Sequence, residues 1–134
     1  MNASDEKKIL RILREIYTFN MYVGPDGPKL ADEFHPEFQI LVPELDGRTG
    51  EIADAHWLRP TPRPRLRPKP VGQELTFSCQ VLDITGKAAA TKVEVHRSGH
   101  LTYTDYVLLC KVAREWRIVG KIFHQHAGAA KPQT

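Results

Sequence analysis

After residue 73 the apolar side chains of this chain recur at every second position, and that alternation constrains the fold more than any other feature. Segments 73–84, 88–96, 101–113 and 116–125 are rich in Val, Ile, Thr, Tyr and Phe. Thr85-Gly86-Lys87, Arg97-Ser98-Gly99 and Arg114-Glu115 separate them, each short enough to force a reversal between neighbouring antiparallel strands. The pattern predicts a meander of four long strands. They exceed the usual length of about 5–6 residues, so the sheet has to curl strongly or split.

The first half follows another period. Ile9, Ile12, Leu13, Ile16, Phe19 and Asn20 step by three and four, marking one face of a helix over 4–22, with Tyr17 and Met21 on the neighbouring stripe. Ser4 reads as its N-cap, and Asp5 and Glu6 suit the positive end of the helix dipole. Gly24-Pro25-Asp26-Gly27-Pro28 stops it. A second, short helix is expected over 28–34, ended by His35-Pro36. A short strand follows over 38–42, then a polar loop over 44–50 that contains Asp46-Gly47. A third helix is expected over 52–58, with Trp57 and Leu58 turned inward. Helices first and strands after give an α+β class: two or three helices against a strongly bent antiparallel sheet of one short and four long strands.

The length of 134 residues fits one domain, 1–126, followed by a small, polar tail over 127–134 that is expected to be disordered. Hydrophobic residues at 41% and charged residues at 26% can support a buried core. No run of about 18 apolar residues exists for a membrane span. The opening Met-Asn-Ala-Ser-Asp-Glu-Lys-Lys has no apolar signal core. Cys79 and Cys110 are too few and too far apart for a disulfide scaffold, so a reducing cytoplasm is the expected location.

Net charge, formally +3, is misleading as a guide to partners. Arg59, Arg63, Arg65, Arg67 and Lys69 crowd into the acid-free, proline-rich stretch 59–70, and without them 14 basic residues face 16 acidic ones. A nucleic-acid binder spreads its positive charge over a folded face, so neither nucleic acid nor membrane is an expected partner. The prolines of the stretch never fall three apart, which removes the PxxP motif and leaves a semi-rigid connector.

The run Val81-Leu82-Asp83-Ile84-Thr85-Gly86-Lys87-Ala88-Ala89-Ala90-Thr91-Lys92-Val93-Glu94-Val95 is a distinctive one, as are Tyr103-Thr104-Asp105-Tyr106-Val107-Leu108-Leu109 and Trp116-Arg117-Ile118-Val119-Gly120-Lys121-Ile122-Phe123-His124. With the opening helix and Phe34-His35-Pro36, they make residues 5–124 resemble the nuclear transport factor 2-like superfamily, in particular its branch labelled putative lumazine-binding. The resemblance implies a cone-shaped α+β fold that includes ketosteroid isomerase and SnoaL-type cyclases. It also implies a pocket between helices and concave sheet, and a homodimer formed through the outer sheet face. One fold hosts many functions, so activity has to be argued from residues.

In ketosteroid isomerase a helical tyrosine and a protonated aspartic acid together donate to the ligand's oxygen, and Tyr17 and Asp105 fall at comparable places. That enzyme's base lies on the first strand, where this chain offers only Ile40-Leu41-Val42, so the same isomerisation is not expected. Counting outward from a turn at Arg114-Glu115 sets Asp105 opposite His124, a carboxylate–imidazole pair able to orient a general base, with Lys121 diagonal to it. His124 and His126 share one face, but zinc or iron needs a third ligand, and His35, His56, His96 and His100 are scattered; no metal and no cofactor is expected. The ligand-binding candidates are therefore Tyr17, Phe38, Trp57, Asp105 and His124, with a small apolar, aromatic or carbonyl-bearing molecule as the partner. Two functions fit: a module that holds this ligand unchanged, or a cofactor-independent isomerase, dehydratase or cyclase with Asp105 and His124 as catalytic acid and base.

Overall fold

The computed structural model describes residues 2–21, 34–45, 48, 52–58 and 75–126. One helix, α1 (Ala3–Met21), precedes six strands: β1 (Phe34–Leu45), β2 (Ile52–Leu58), β3 (Leu75–Thr85), β4 (Ala88–Arg97), β5 (His100–Val112) and β6 (Glu115–Gln125). They form one curved, open sheet in the order β2-β1-β6-β5-β4-β3. The four-strand meander is present as the alternation predicts. The sheet as a whole is mixed rather than antiparallel, because β1 lies parallel to β6, with Gln39, Ile40 and Leu41 beside Gly120, Lys121 and Ile122.

Three local expectations are corrected. Asn2, not Ser4, caps α1: its Oδ1 accepts from the backbone N–H of Ser4 at 2.9 Å and of Asp5 at 3.3 Å. Residues 52–58 form strand β2, paired antiparallel with β1 from Ile40↔Leu58 to Leu45↔Ile52, and not a helix. Seven residues make an unstable helix on their own, whereas as a strand they complete a ladder whose hairpin signal, Asp46-Gly47, lies in the connecting sequence. Phe34, His35 and Pro36 belong to β1; the proline, which has no N–H to give, falls in the gap between Phe34 and Gln39 where the ladder to β6 is interrupted. The remainder of the expected 28–34 helix, the basic connector 59–70 and the tail lie outside the described residues.

The β4–β5 turn is one residue shorter than expected, and the β5–β6 turn has the expected length but lies one residue earlier. Ser98-Gly99 and Ala113-Arg114 each have two positive φ angles, 49° and 83° in the first and 51° and 70° in the second, the signature of a two-residue type I′ hairpin. Neither Ala113 nor Arg114 is a residue that favours this region, at a cost of about 1–2 kcal/mol each.

Register shifts interrupt every strand pairing of the sheet, and each adds local bend and twist. The concave face receives α1. Ile9, Ile12, Leu13, Ile16 and Tyr17 bury themselves against Val81, Ala89, Val93, Val107, Leu109, Trp116 and Ile118. Truncating a fully buried member such as Leu13 to alanine removes about 2–5 kcal/mol.

Two polar attachments fix how α1 lies on the sheet. Near its start, Asp5 Oδ1 accepts from Trp116 Nε1 at 3.1 Å and pairs with Lys111 Nζ at 3.3 Å. Near its end, the Tyr17 hydroxyl donates to Asp105 Oδ2. Asp5 to Tyr17 spans about 18 Å of helix at ~1.5 Å per residue, and Lys111 to Asp105 spans about 20 Å of strand at ~3.3 Å per residue. The two lengths match, so the helix runs antiparallel to β5 and both contacts close together.

The Trp116 hydrogen bond, with Lys111 beside it, holds the Asp5 carboxyl below its ordinary 3.8 against the opposing effect of burial. Its contribution to stability is complete above that value and is lost as pH falls through the lowered folded-state value. We expect Asp5→Asn to unfold at lower denaturant than the native chain between pH 5 and 8, with the gap narrowing below pH 4 as the native carboxylate is neutralised. Chemical unfolding followed across pH reads this; a gap that stays constant down to pH 2 would contradict the ion-pair contribution.

Candidate functional site

Along β5 the side chains of Asp105, Val107, Leu109 and Lys111 turn toward α1, while Tyr106, Leu108 and Val112 face outward and are exposed. Which residues of β6 join the inner set depends on a single extra residue. Leu109 pairs with Ile118 but Leu108 pairs with Gly120, so Val119 is a bulge. Before it Trp116 and Ile118 point inward; after it the inward residues are Lys121 and Phe123. A glycine inside a strand is a frequent mark of such a bulge.

The bulge delivers Lys121 to the inner face, where its Nζ lies 3.0 Å from Asp105 Oδ2. The same oxygen accepts the Tyr17 hydroxyl, so one carboxylate oxygen joins the helix to two strands. Lys121 Nζ also sits 5.4 Å from the Tyr17 ring centroid, within range of a cation–π contact. Phe77, 5.9 Å from the Tyr17 ring and tilted by 37°, forms an adjacent wall, and Phe38 is buried in the same core. Asp105 is 4% exposed, Tyr17 6% and the Lys121 side chain 23%, so Lys121 is the most accessible of the three side chains.

Burial, reinforced by the Asp105 charge, raises the Tyr17 phenol far above its ordinary range, so it stays protonated and acts as a donor. Burial also pushes the Cys79 thiol to about 11, with Arg14 pulling partly back; at neutral pH it is a protonated, unreactive group. In this geometry Asp105 accepts from both neighbours, which differs from the donating acid implied by ketosteroid isomerase.

Of the predicted residues the structure brings Tyr17 and Asp105 into contact, and Phe38 shares the buried core with Tyr17. It does not bring in His124. The turn at Ala113-Arg114 lies one residue earlier than expected and the β6 bulge adds one back, so Asp105 faces Phe123 while His124 faces Thr104. His124 is exposed on the opposite face of the sheet; its ring lies 4.9 Å from that of His126, whose Nε2 is 2.7 Å from Thr104 Oγ1. Trp57 pairs with Leu41 through the backbone, and its side chain lies outside the described set. Lys121, considered in sequence only as a diagonal neighbour, is a direct partner of Asp105; Val119-Gly120 is the signal that would have found it. Among the described residues no three His, Cys, Asp or Glu side chains converge. None of the described helices is long and apolar enough to cross a membrane.

A surface cleft of about 410 Å³ opens elsewhere, lined by Gly86, Lys87, Lys111, Ala113 and Arg114. Lys111 places it at the Asp5 end of α1, away from Tyr17. Its volume does not make it the better candidate for the predicted chemistry, because none of the buried polar trio lines it.

The chain is similar to solved structures of nuclear transport factor 2-like proteins of unknown function from three bacteria. The protein from Shewanella baltica OS155 is 17% identical, with a TM-score of 0.67 over 96% of this chain and 98% of its own. The one from Methylobacillus flagellatus KT is 21% identical, with a TM-score of 0.63 over 95% and 96%. The one from Silicibacter pomeroyi DSS-3 is 16% identical, with a TM-score of 0.62 over 94% and 100%. At these identities the likeness shows the fold alone. No functionally curated protein matches the chain. Residues 4–124 match the family described as "Putative lumazine-binding", the branch whose strand segments the sequence already resembled, and the chain belongs to that family of nuclear transport factor 2-like folds.

Proposed function

We propose that this chain is a small-molecule-binding module that holds an apolar, aromatic or carbonyl-bearing ligand against the inner face of the sheet, beside Tyr17, Asp105 and Lys121. The single observation that carries the reading is the joint contact of Tyr17 and Lys121 with one oxygen of a buried carboxylate. A buried ion pair is a weak source of stability compared with well-packed apolar side chains of equal volume. A role in recognition accounts for such a cluster better than stability does. An ammonium has three N–H donors, and the contact with Asp105 uses one of them. The others are available to a ligand carbonyl, while Phe77 and the Tyr17 ring supply an aromatic wall. An acid–base enzyme built on Asp105 and His124 is less well supported, because those side chains project from opposite faces.

The outer face suits a second copy of the chain. Tyr106 pairs with Ile122, and both, with Leu82, Leu108 and Val112, are 39–50% exposed. So much uncovered apolar surface favours association, and we propose a homodimer through this face. The two free cysteines accord with a cytoplasmic location.

Lumazine, an aromatic dione, is a direct probe of the site. Fluorescence titration of the native chain should saturate, and Tyr17→Phe and Lys121→Met should each weaken binding by about tenfold, equivalent to ~1.4 kcal/mol. Thermal melts confirm that the variants fold. Binding unchanged in both variants, or no saturable binding of lumazine or of a naphthyl ketone to the native chain, would sink the reading. For the outer face, sedimentation equilibrium should return the mass of two chains and Leu108→Glu should halve it; a native chain of single mass excludes the dimer.

A further inference from the structure

The cleft at the other end of α1 has features that the proposed ligand site does not use. Three of its five lining residues, Lys87, Lys111 and Arg114, are cationic. Lys111 is partly neutralised by Asp5 at 3.3 Å. Lys87 and Arg114 have no acidic partner among the described residues, and Glu115, the acid next to Arg114, is engaged by Arg117 at 2.7 Å. Three cationic residues therefore meet at one hollow, and one of them, Lys111, is paired with a carboxylate beside it. Like charges brought together on a folded surface repel unless something between them carries the opposite sign, and a concave wall concentrates their field on that space.

The backbone adds an independent observation. One wall of the cleft is the Ala113-Arg114 turn, in which two non-glycine residues are held at positive φ. Asn-Gly would form the same turn without that strain. Strained positions of this kind concentrate at ligand sites, where the side chain that is kept matters more than the conformational cost. Here the strained position keeps an arginine.

We propose that the cleft formed by the β3–β4 and β5–β6 turns binds a phosphate-type oxyanion, free or carried on a small molecule. Arg114 supplies a planar fork that can donate to two oxygens of one anion, and Lys87 and Lys111 supply compact charges on either side. A volume of about 410 Å³ exceeds the needs of a lone phosphate group and leaves room for part of the molecule that bears it. The site is independent of the Tyr17 cluster, from which the length of α1 separates it, so each can fail without the other.

The test is an amide chemical-shift titration of the ¹⁵N-labelled full chain with inorganic phosphate, with pyrophosphate and acetate in separate arms and chloride holding ionic strength constant. Phosphate and pyrophosphate should produce saturable shifts at Gly86, Lys87, Ala113 and Arg114, and acetate should bind at least tenfold more weakly. A further arm with phenyl phosphate separates the sources: a monoester that binds at least as tightly as inorganic phosphate assigns a phosphorylated small molecule as the occupant, and one that binds much more weakly assigns free phosphate. Arg114→Gly relaxes the positive φ, so the chain stays folded, and should weaken phosphate at least tenfold; Lys87→Ala should weaken it in the same direction. Linear shifts identical to those produced by chloride, acetate binding as tight as phosphate, or phosphate binding unchanged in Arg114→Gly would overturn the proposal.

Discussion

The architecture of the inner face rests on one extra residue in β6. Val119 breaks the two-residue period, and with it the identity of every side chain that β6 later sends toward the helix changes. Without the bulge Lys121 would project from the outer face with Ile122 inward, and Asp105 would be a buried carboxylate whose contact is the Tyr17 hydroxyl alone. With it, an ammonium and a phenol meet on one oxygen beneath the end of α1. Leaving one member of such a cluster buried without its partner costs about 3–5 kcal/mol, so the three groups are fixed together or not at all.

The helix is registered on the sheet by the same logic at both ends. Apolar burial of Ile9, Leu13 and Ile16 is strong but has no preferred position along the groove. Hydrogen bonds do, and the attachments at Asp5 and Tyr17 admit one placement. The two ends then differ in electrostatic character. At Tyr17 the charges of Asp105 and Lys121 cancel within a largely buried cluster. At Asp5 a single carboxylate is paired with Lys111, one of three cationic residues that line the neighbouring cleft. A binding surface for an uncharged carbonyl compound and one for an oxyanion can thus coexist on one small domain.

Much of this fold was legible in the sequence, and the failures have identifiable causes. The 3–4 spacing of Ile9, Ile12, Leu13 and Ile16 located the buried face of α1, and the period of two after residue 73 located β3 to β6. Residues 52–58 were misread because a seven-residue segment with Ala53, Ala55 and Trp57 carries little period of its own; its strand state comes from pairing with β1. Tyr17 and Asp105 were legible as a pair through the family resemblance. Their third partner was not, because register propagates from the turn: placing the reversal at Arg114-Glu115, and passing over the glycine at 120, put His124 where Phe123 lies.

Proton–proton contacts in solution measure the central feature directly. A nuclear Overhauser spectrum of the full chain should show the Lys121 ε-methylene protons in contact with the Tyr17 ring, and the His124 ring in contact with His126 and not with Tyr17. Cross-peaks from Lys121 to outer-face side chains such as Tyr106, with none to Tyr17, would mean that β6 runs without its bulge and that the buried cluster does not exist.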